Sequence, residues 1–281
     1  MSGAGMTVKP KDTIDEIPPD QACPADKPGC EATTAGSLLD GRIRYRQFRQ
    51  GYRTGLEPVL MAAHVPARPG DRVLEGGCGA GAGLMCLAHR VAEVTGVGLE
   101  HDLPTAGLAQ ANFADNGFDR LHVARTTLPA LPTTLSTLAM FPPEGGWFDH
   151  AFANPPWHRH DATASPDARR DLARRLASAE TIAAWVGSLG RQVRRRGTLT
   201  LALPAALHDV AVASMREHGI GAISIFPFWP KAGRAARIVL VQGRIGSKGD
   251  AAILPGLVLH EEDGRFTPRA TSVLRDGSAL A

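Results

Sequence analysis

The sequence predicts an α/β protein with a doubly wound, mainly parallel sheet of seven strands. Two observations predict this class. Short apolar strand patterns alternate along the chain with segments of helical period, and strands that alternate with helices pair in parallel. A run of glycines follows the first of these strands, at positions 76, 77, 79, 81 and 83. Such a run is typical of a strand that turns into a helix beside a bound ligand.

The elements follow in order along the chain. The predicted strands are residues 71–75, 94–99, 121–124, 148–153, 198–203, 220–228 and 237–243. The predicted helices are one with Pro58 in its first turn, residues 83–92, 102–116 and 166–189, and one that ends near His218. Gly117 is a plausible stop for the 102–116 helix. Leu38 and Leu39 open a short strand before an Asp40-Gly41 turn, and residues 126–146 form a loop with one helical turn.

Composition bounds the domain organisation. The chain has 281 residues, 43% of them hydrophobic and 21% charged, which suits one sizeable domain. Residues 1–36 are polar and Pro-rich and are predicted to be a disordered leader. Residues 37–245 form the main domain, and residues 246–281 form an extension packed on it. We expect a monomer.

Several classes of protein are disfavoured. No stretch approaches 18 consecutive apolar residues, so no membrane partner is expected. The four cysteines form neither a CxxC set nor a disulfide framework, which predicts no metal site and a cytoplasmic protein. The net charge of +3 is mild, so a nucleic-acid partner must be argued from local clusters.

The glycine loop reads Glu75-Gly76-Gly77-Cys78-Gly79-Ala80-Gly81. Related loops bind nicotinamide and flavin cofactors, so glycines alone do not choose the cofactor. An acid on the strand end would repel a pyrophosphate, whereas it can accept a hydrogen bond from an α-ammonium group. This favours S-adenosylmethionine as cofactor, bound by the side chain and backbone of Glu75, Gly77, Gly79 and Gly81. Alternatively, the glycines only permit close helix–strand packing.

Glu100 ends the second predicted strand, where a carboxylate can accept from both ribose hydroxyls of an adenosine cofactor. NAD would place an acid at the same point, so Glu100 indicates adenosine without choosing between the two cofactors. Asp102 better suits the simpler role of an acid at a helix N-terminus.

The tetrapeptide Asn154-Pro155-Pro156-Trp157 ends the fourth predicted strand. The prolines fix the backbone and remove two donors. The Asn154 side-chain oxygen and the Pro155 carbonyl can then accept from one –NH₂ group, which turns its lone pair toward a sulfonium methyl group. Trp157 offers a face for an aromatic base. These four residues are the predicted catalytic site, although an isolated Asn-Pro-Pro is a common turn.

Because the carboxyl ends of parallel strands share one edge, the glycine loop, Glu100 and the tetrapeptide are expected on one rim of the sheet. A second feature is the acid-free segment 42–53, which contains aromatic residues and arginines suited to RNA phosphates. The predicted RNA contacts are Arg42, Arg44, Arg46, Arg49 and Arg53. The arginine groups at 169–175 and 191–196 are explained equally well as solvated helix faces.

The motifs EGGCGAG, GLE and NPPW, in this order and spacing, resemble amino-methyltransferases of the N6-adenine and N5-glutamine type. The sequence is most similar to the bacterial tRNA1(Val) adenine-37 N6-methyltransferase family. The resemblance runs from about Leu38 to Leu280 and includes RYRQFRQGYRTGLEPVLMAA and LPGLVLHEEDGRFTPRATSVLRDG. It implies a Class I Rossmann-like fold with a terminal antiparallel hairpin, an S-adenosylmethionine cofactor and a tRNA substrate.

The chain departs from that family at three places. Residues 124–127 read Ala-Arg-Thr-Thr where an acid near the cofactor's adenine amine is usual. Glu75-Gly76 replaces Asp-Leu, and Gly55-Leu56-Glu57 replaces Gly-Thr-Asp. These departures motivate a non-catalytic RNA- or cofactor-binding protein on the same fold as one alternative. A protein glutamine N5-methyltransferase is another, because a side-chain amide presents the same –NH₂ geometry, and a nicotinamide oxidoreductase is a weaker third.

Overall fold

The computed structural model describes residues 15–16, 32–50, 53–129, 131, 148–156 and 168–280. Its strands are β1 (Asp15–Glu16), β2 (Thr33–Leu38), β3 (Ile43–Phe48), β4 (Arg72–Gly76), β5 (Thr95–Glu100), β6 (Leu121–Arg125), β7 (Phe148–Ala153), β8 (Val193–Pro204), β9 (Ile220–Trp229), β10 (Ile238–Ile245), β11 (Ala252–Ile253) and β12 (Leu257–Val258). Its helices are α1 (Glu57–His64), α2 (Ala82–Arg90), α3 (Leu103–Asp115), α4 (Ala168–Gly190), α5 (His208–Glu217) and α6 (Pro268–Asp276), with a 3₁₀ turn at Ala205–Leu207.

The seven central strands lie in the order β6-β5-β4-β7-β8-β10-β9. The first five are parallel, and β10 runs antiparallel to both β8 and β9. The strand order reverses between β4 and β7, which is the switch point where doubly wound sheets bind ligands. The predicted fold class, including the terminal antiparallel hairpin, is confirmed, although β1, β11 and β12 extend the seven predicted strands to a sheet of ten among the described residues.

Helices cover both faces of the sheet. Leu84 of α2 and Phe113 of α3 are fully buried on one face, and Val186, Leu189 and Met215 of α4 and α5 are buried on the other. Each such side chain contributes roughly 1.5–3 kcal/mol when it leaves water. The parallel strands are therefore enclosed on both sides, and their ends are the places where ligands can reach them.

The predicted elements form close to their expected positions, with several differences, among them a short strand β1 inside the predicted leader, paired with β6. β8 begins at Val193, five residues earlier than predicted, because exposed arginines at its start conceal the strand pattern. Residues 33–36 belong to β2, which pairs with β3 in a hairpin, although the sequence places them in the leader. The expected helical turn within 126–146 lies largely outside the described residues, as does most of the leader.

The C-terminal extension packs on the same domain. β11 and β12 pair with β9, and α6 buries Ala270, Val273 and Leu274 in the core shared with α1 and α2. The Leu280 N–H donates to the Ala63 carbonyl at 2.8 Å. The extension therefore adds to the face of the sheet that α1 occupies.

Two asparagines join the β2–β3 hairpin to α3. Asn112 accepts from the Arg46 N–H at 3.1 Å and donates to the Arg46 carbonyl at 2.9 Å. Asn116 does the same for Arg44, at 2.8 Å in both directions. Residues four apart on a helix thus match residues two apart on a strand, and their amides replace the missing neighbour strand.

Candidate functional site

The rim of the sheet is defined by one row of paired residues. Gly76 of β4 pairs with Leu99 of β5 on one side and with Ala153 of β7 on the other. The next residue along each strand is therefore Gly77, Glu100 or Asn154. The structure brings the glycine loop, Glu100 and the start of the tetrapeptide together at the switch point.

Three glycines give the loop its path. Gly77, Gly79 and Gly81 have φ values of +65°, +55° and +86°, in the left-handed region that favours glycine. A Cβ on Gly81 would lie 2.4 Å from Phe113 Cε1, and one on Gly77 would lie 3.1 Å from Trp185 Cη2. A Cβ on Gly79 would meet nothing within 4 Å. Gly81 and Gly77 allow close packing, whereas Gly79 faces open space.

Glu75 lies below the loop rather than in it. Its side chain is 3% exposed, and its Oε2 accepts from the Leu84 N–H in the first turn of α2 at 3.0 Å. Burial raises the pKa of Glu75 well above its ordinary value, the Leu84 N–H opposes that rise, and the charge of Glu100 adds to it. The structure therefore gives this carboxyl group a helix N-terminus as partner, whereas the sequence predicts a cofactor ammonium group.

Glu100 is held by the backbone of its own rim. Its Oε1 accepts from the His101 and Asp102 N–H groups at 2.9 and 3.0 Å, and its Oε2 accepts from the Gly79 N–H at 3.1 Å. Three N–H donors fix the orientation of the carboxylate. Asp102 caps α3 by accepting from the Thr105 N–H at 3.0 Å, which is the helix-terminal role expected for it.

The tetrapeptide continues from β7 as an irregular segment. Asn154 is half-buried, Pro155 is buried, and Pro156 is exposed on the wall of a cavity. Trp157 lies outside the described residues. The strand end thus carries the Asn154 amide and two prolines that fix the backbone, and Pro156 lines that cavity.

The cavity has a volume of about 540 Å³ and lies between the rim and α4. Such a volume is within the usual range for small-molecule sites. It is lined by Gly77, Leu99, His101, Thr126, Thr127, Leu128, Pro129, Pro156, Glu180, Thr181, Ala184 and Trp185. The rim therefore opens on a mostly apolar space with few polar groups.

Helix α4 supplies one wall of this cavity, although none of the site residues predicted from the sequence lies on it. Thr181, Trp185 and Ser188 recur at helical spacing, and Ser188 Oγ donates to the Pro129 carbonyl at 2.8 Å. This bond ties α4 to the segment after β6. Among the described lining residues, Glu180 is the only acid. The missing acid at 124–127 was the signal that could have prompted a search for a substitute elsewhere.

Asn112 is a second residue that the sequence does not single out. It is 1% exposed, and besides its bonds to the hairpin it donates to the Ala80 carbonyl in the glycine loop at 2.9 Å. One side chain thereby connects the hairpin, α3 and the loop. Because a lone asparagine in a helix carries no pattern, only the structure reveals this role.

The arginines of the lead-in are largely engaged within the protein. Arg42 donates to the Arg275 carbonyl at 2.7 Å and pairs with Asp276 at 3.1 Å. Arg44 donates to the Asp115 carbonyl, and Arg46 pairs with the Asp115 carboxylate. These contacts fasten the hairpin to α3 and α6, so the three side chains have structural partners where RNA contacts are predicted.

Arg49 and Arg53 lie nearer the rim. β3 passes Asn116 at the end of α3 and then Asn112 one turn earlier, so the strand runs toward the rim. Arg49 Nε donates to the Thr33 carbonyl at 3.2 Å, and Arg53 donates to Thr34 Oγ1 at 3.3 Å. Both residues are exposed.

The described part of the chain contains no group of three His, Cys, Asp or Glu side chains able to hold a metal ion. Cys78 and Cys86 are buried free thiols, and burial raises the pKa of both. None of the described helices combines the length and apolar character needed to cross a membrane.

Comparison with known proteins gives the fold a reference. No protein-family model matches the chain, and no curated protein sequence matches it. A predicted O-methyltransferase from Agrobacterium tumefaciens is similar in structure, with a TM-score of 0.62 and 21% identity over 80% of this chain and 97% of that one. P. horikoshii TYW2, solved in complex with MeSAdo, has a TM-score of 0.50 and 13% identity over 78% of this chain and 74% of that one. The chain shares the Rossmann-like fold of these proteins.

Proposed function

We propose that this protein is an S-adenosylmethionine-dependent methyltransferase that methylates the N6 amine of an adenine in tRNA. The observation that carries the proposal is the row at the rim, where Gly77, Glu100 and Asn154 follow three paired residues of adjacent strands beside a cavity of about 540 Å³. The fold similarity to methyltransferases and the sequence resemblance to the tRNA1(Val) adenine-37 N6 family support it.

The residues present fit the cofactor. The open space over Gly79 allows a ligand to lie close to the backbone of the loop. Glu100, whose carboxylate is fixed at the rim, can accept hydrogen bonds from ribose hydroxyls. The cavity beside Leu99, Thr126 and Leu128 is apolar enough for an adenine ring. Glu75 has an indirect role, because its hydrogen bond from the Leu84 N–H holds the start of α2 against the glycine loop. When bound, the cofactor supplies an electrophilic methyl group on a sulfonium centre.

Glu180 takes the place of the acid that is missing after β6. It lies on the α4 wall, across from Thr126 and Thr127, and its carboxylate can accept from the exocyclic amine of the cofactor's adenine. The Ser188–Pro129 bond keeps the two walls together. A carboxylate from the helix thus compensates for the departure of residues 124–127 from the family pattern.

The segment after β7 orients the methyl acceptor. The Asn154 side-chain oxygen and the Pro155 carbonyl accept both N–H bonds of the acceptor amine, which aims its lone pair into the cavity. Positive charge that develops on the nitrogen is stabilised by the same two oxygens. The prolines hold this geometry without conformational freedom, so little rearrangement accompanies the reaction.

The choice of tRNA rests on different residues from the choice of reaction. Arg49 and Arg53 near the rim are available to bind RNA phosphates. Trp157, which follows Pro156 in the sequence, has an aromatic side chain on which a base can stack. An adenine in a single-stranded loop leaves its stack at small cost. Because Arg42, Arg44 and Arg46 are engaged internally, a protein glutamine N5-amide remains the second candidate acceptor.

The direct test is methyl transfer from labelled S-adenosylmethionine to total tRNA and, separately, to a protein extract. We expect label in tRNA, recovered as N6-methyladenosine after digestion to nucleosides and mass spectrometry. Label in glutamine side chains would establish the second candidate instead. Cofactor binding without transfer to either pool would contradict the enzyme assignment.

A further inference from the structure

The start of β8 forms a basic projection at the end of the sheet opposite the rim. β7 and β8 are paired at Phe148–Val193 and again at His150–Thr198, so two steps on β7 correspond to five on β8. The extra residues leave the ladder as a bulge that contains Arg194, Arg195 and Arg196. These three arginines therefore do not lie on a solvated helix face, which is one of the two explanations that their sequence pattern allows equally well.

The bulge borders a groove of about 590 Å³. Its floor is apolar, and its edges carry arginines and a histidine. The lining residues are Val186, Gly187, Gly190, Arg191, Val193, Arg194, Arg195, His218 and Ile245. A Cβ on Gly187 would lie 2.5 Å from His218 Nε2, so this glycine lets the histidine ring pack closely against α4 at the edge of the groove.

Most of this positive charge is unpaired among the described residues. Arg194 pairs with Asp149, but within the described part of the chain no carboxylate pairs with Arg191, Arg195 or Arg196. Arg244 adds a further guanidinium by donating to the Arg196 carbonyl at 3.0 Å. Arg196 itself has a φ of +69°, an uncommon conformation for a side-chain-bearing residue, and such bulges redirect side chains or end strand pairing.

We propose that this groove and bulge bind the sugar–phosphate backbone of the same RNA whose adenine reaches the rim. This proposal rests on the proposed function. Guanidinium groups match phosphates in charge and geometry, and the apolar floor suits the ribose or base faces between them. β7 has six residues, so the groove lies roughly 17 Å from the rim at about 3.3 Å per strand step. The substrate is then a folded RNA that spans both ends of the sheet.

The test compares two variants that each remove three positive charges. R191Q/R195Q/R196Q removes the exposed arginines of the groove and bulge, and the control R68Q/R120Q/R275Q removes three exposed arginines elsewhere. Binding of a tRNA transcript is measured by fluorescence anisotropy at several salt concentrations. We expect the first variant to raise the Kd at least tenfold and to lower the slope of log K against log salt by about 2, because each lost phosphate contact removes about 0.7. The control should differ little from wild type.

Methylation kinetics separate this inference from the proposed function. The groove variant should raise the KM for full tRNA and leave the kcat unchanged. It should leave methylation of a short oligonucleotide, which reaches only the rim, unaffected. Normal S-adenosylhomocysteine binding by the variant confirms that the fold is intact. If wild-type protein methylates tRNA and the two triple variants bind it equally, the inference is overturned while the function stands. If wild-type protein binds no RNA, both fail.

Discussion

Replacing Asn112 with alanine tests how the lead-in hairpin supports the candidate site. The buried amide makes three hydrogen bonds, two with the backbone of Arg46 and one to the Ala80 carbonyl. At about 1 kcal/mol for each bond, N112A is expected to lower the free energy of unfolding by about 3 kcal/mol. The loss is measured by urea denaturation monitored by tryptophan fluorescence.

N112A is also expected to weaken cofactor binding, because the glycine loop loses its restraint at Ala80. In the variant, cofactor binding must also order the Ala80 carbonyl, at a cost of about 1 kcal/mol. This cost would raise the Kd of S-adenosylhomocysteine, measured by calorimetry, about fivefold. N116A is the matched control, since it removes the equivalent hairpin bonds to Arg44 and has no bond to the loop. N116A should destabilise the fold by about 1–2 kcal/mol, because Asn116 is only half-buried. The reasoning is refuted if both variants weaken binding equally, or if N112A costs under about 1 kcal/mol.

Three further predictions follow from single groups. Burial lowers the pKa of His64 to about 4 from 6.5, so the unfolded chain is protonated at a higher pH than the folded protein. The free energy of unfolding, measured by urea titration, should therefore fall by about 3 kcal/mol between pH 6.5 and 4. In H64L the same free energy should depend less on pH over this range. Glu180 is expected to accept a hydrogen bond from the exocyclic amine of the cofactor's adenine, so wild type should bind S-adenosylhomocysteine more tightly than its inosine analogue. E180Q should lose this preference, whereas the control E217Q should keep it. If E180Q discriminates between the two ligands as wild type does, Glu180 does not contact the cofactor. G79A should raise the Kd of S-adenosylhomocysteine at least about tenfold, because the new methyl group would point into the open space that the ligand occupies. The free energy of unfolding should fall by only about 1–2 kcal/mol, the cost of a left-handed alanine. Unchanged binding would show that the ligand does not lie over Gly79.

The sequence predicts the parts of this molecule that depend on short-range patterns. Alternation of strands and helices gives the sheet, and the ends of β4, β5 and β7 follow from where apolar runs stop at Glu75, Glu100 and Asn154. Because parallel strands end on one edge, the meeting of these segments at the switch point is a consequence of topology. The rim is therefore predictable before any side chain is placed.

Side-chain partners are a different matter. Glu75 sits one residue before the rim, and the alternation of β-strand side chains turns it toward Leu84 instead of the cavity. Arg42 and Arg46 find Asp276 and Asp115 far away in the sequence, and no local pattern encodes those pairs. Charge clusters show where cations are, and only the tertiary structure shows which of them are already neutralised.

The most direct test of the central claim is the kinetics of Asn154→Ala with tRNA and S-adenosylmethionine, measured together with the Kd of S-adenosylhomocysteine. If Asn154 orients the acceptor amine, kcat should fall at least about a hundredfold while the Kd stays near the wild-type value, because the lost contacts belong to positioning and to the developing charge. Full activity in this variant, with unchanged product, would contradict the assignment of the rim as the methyl-transfer site.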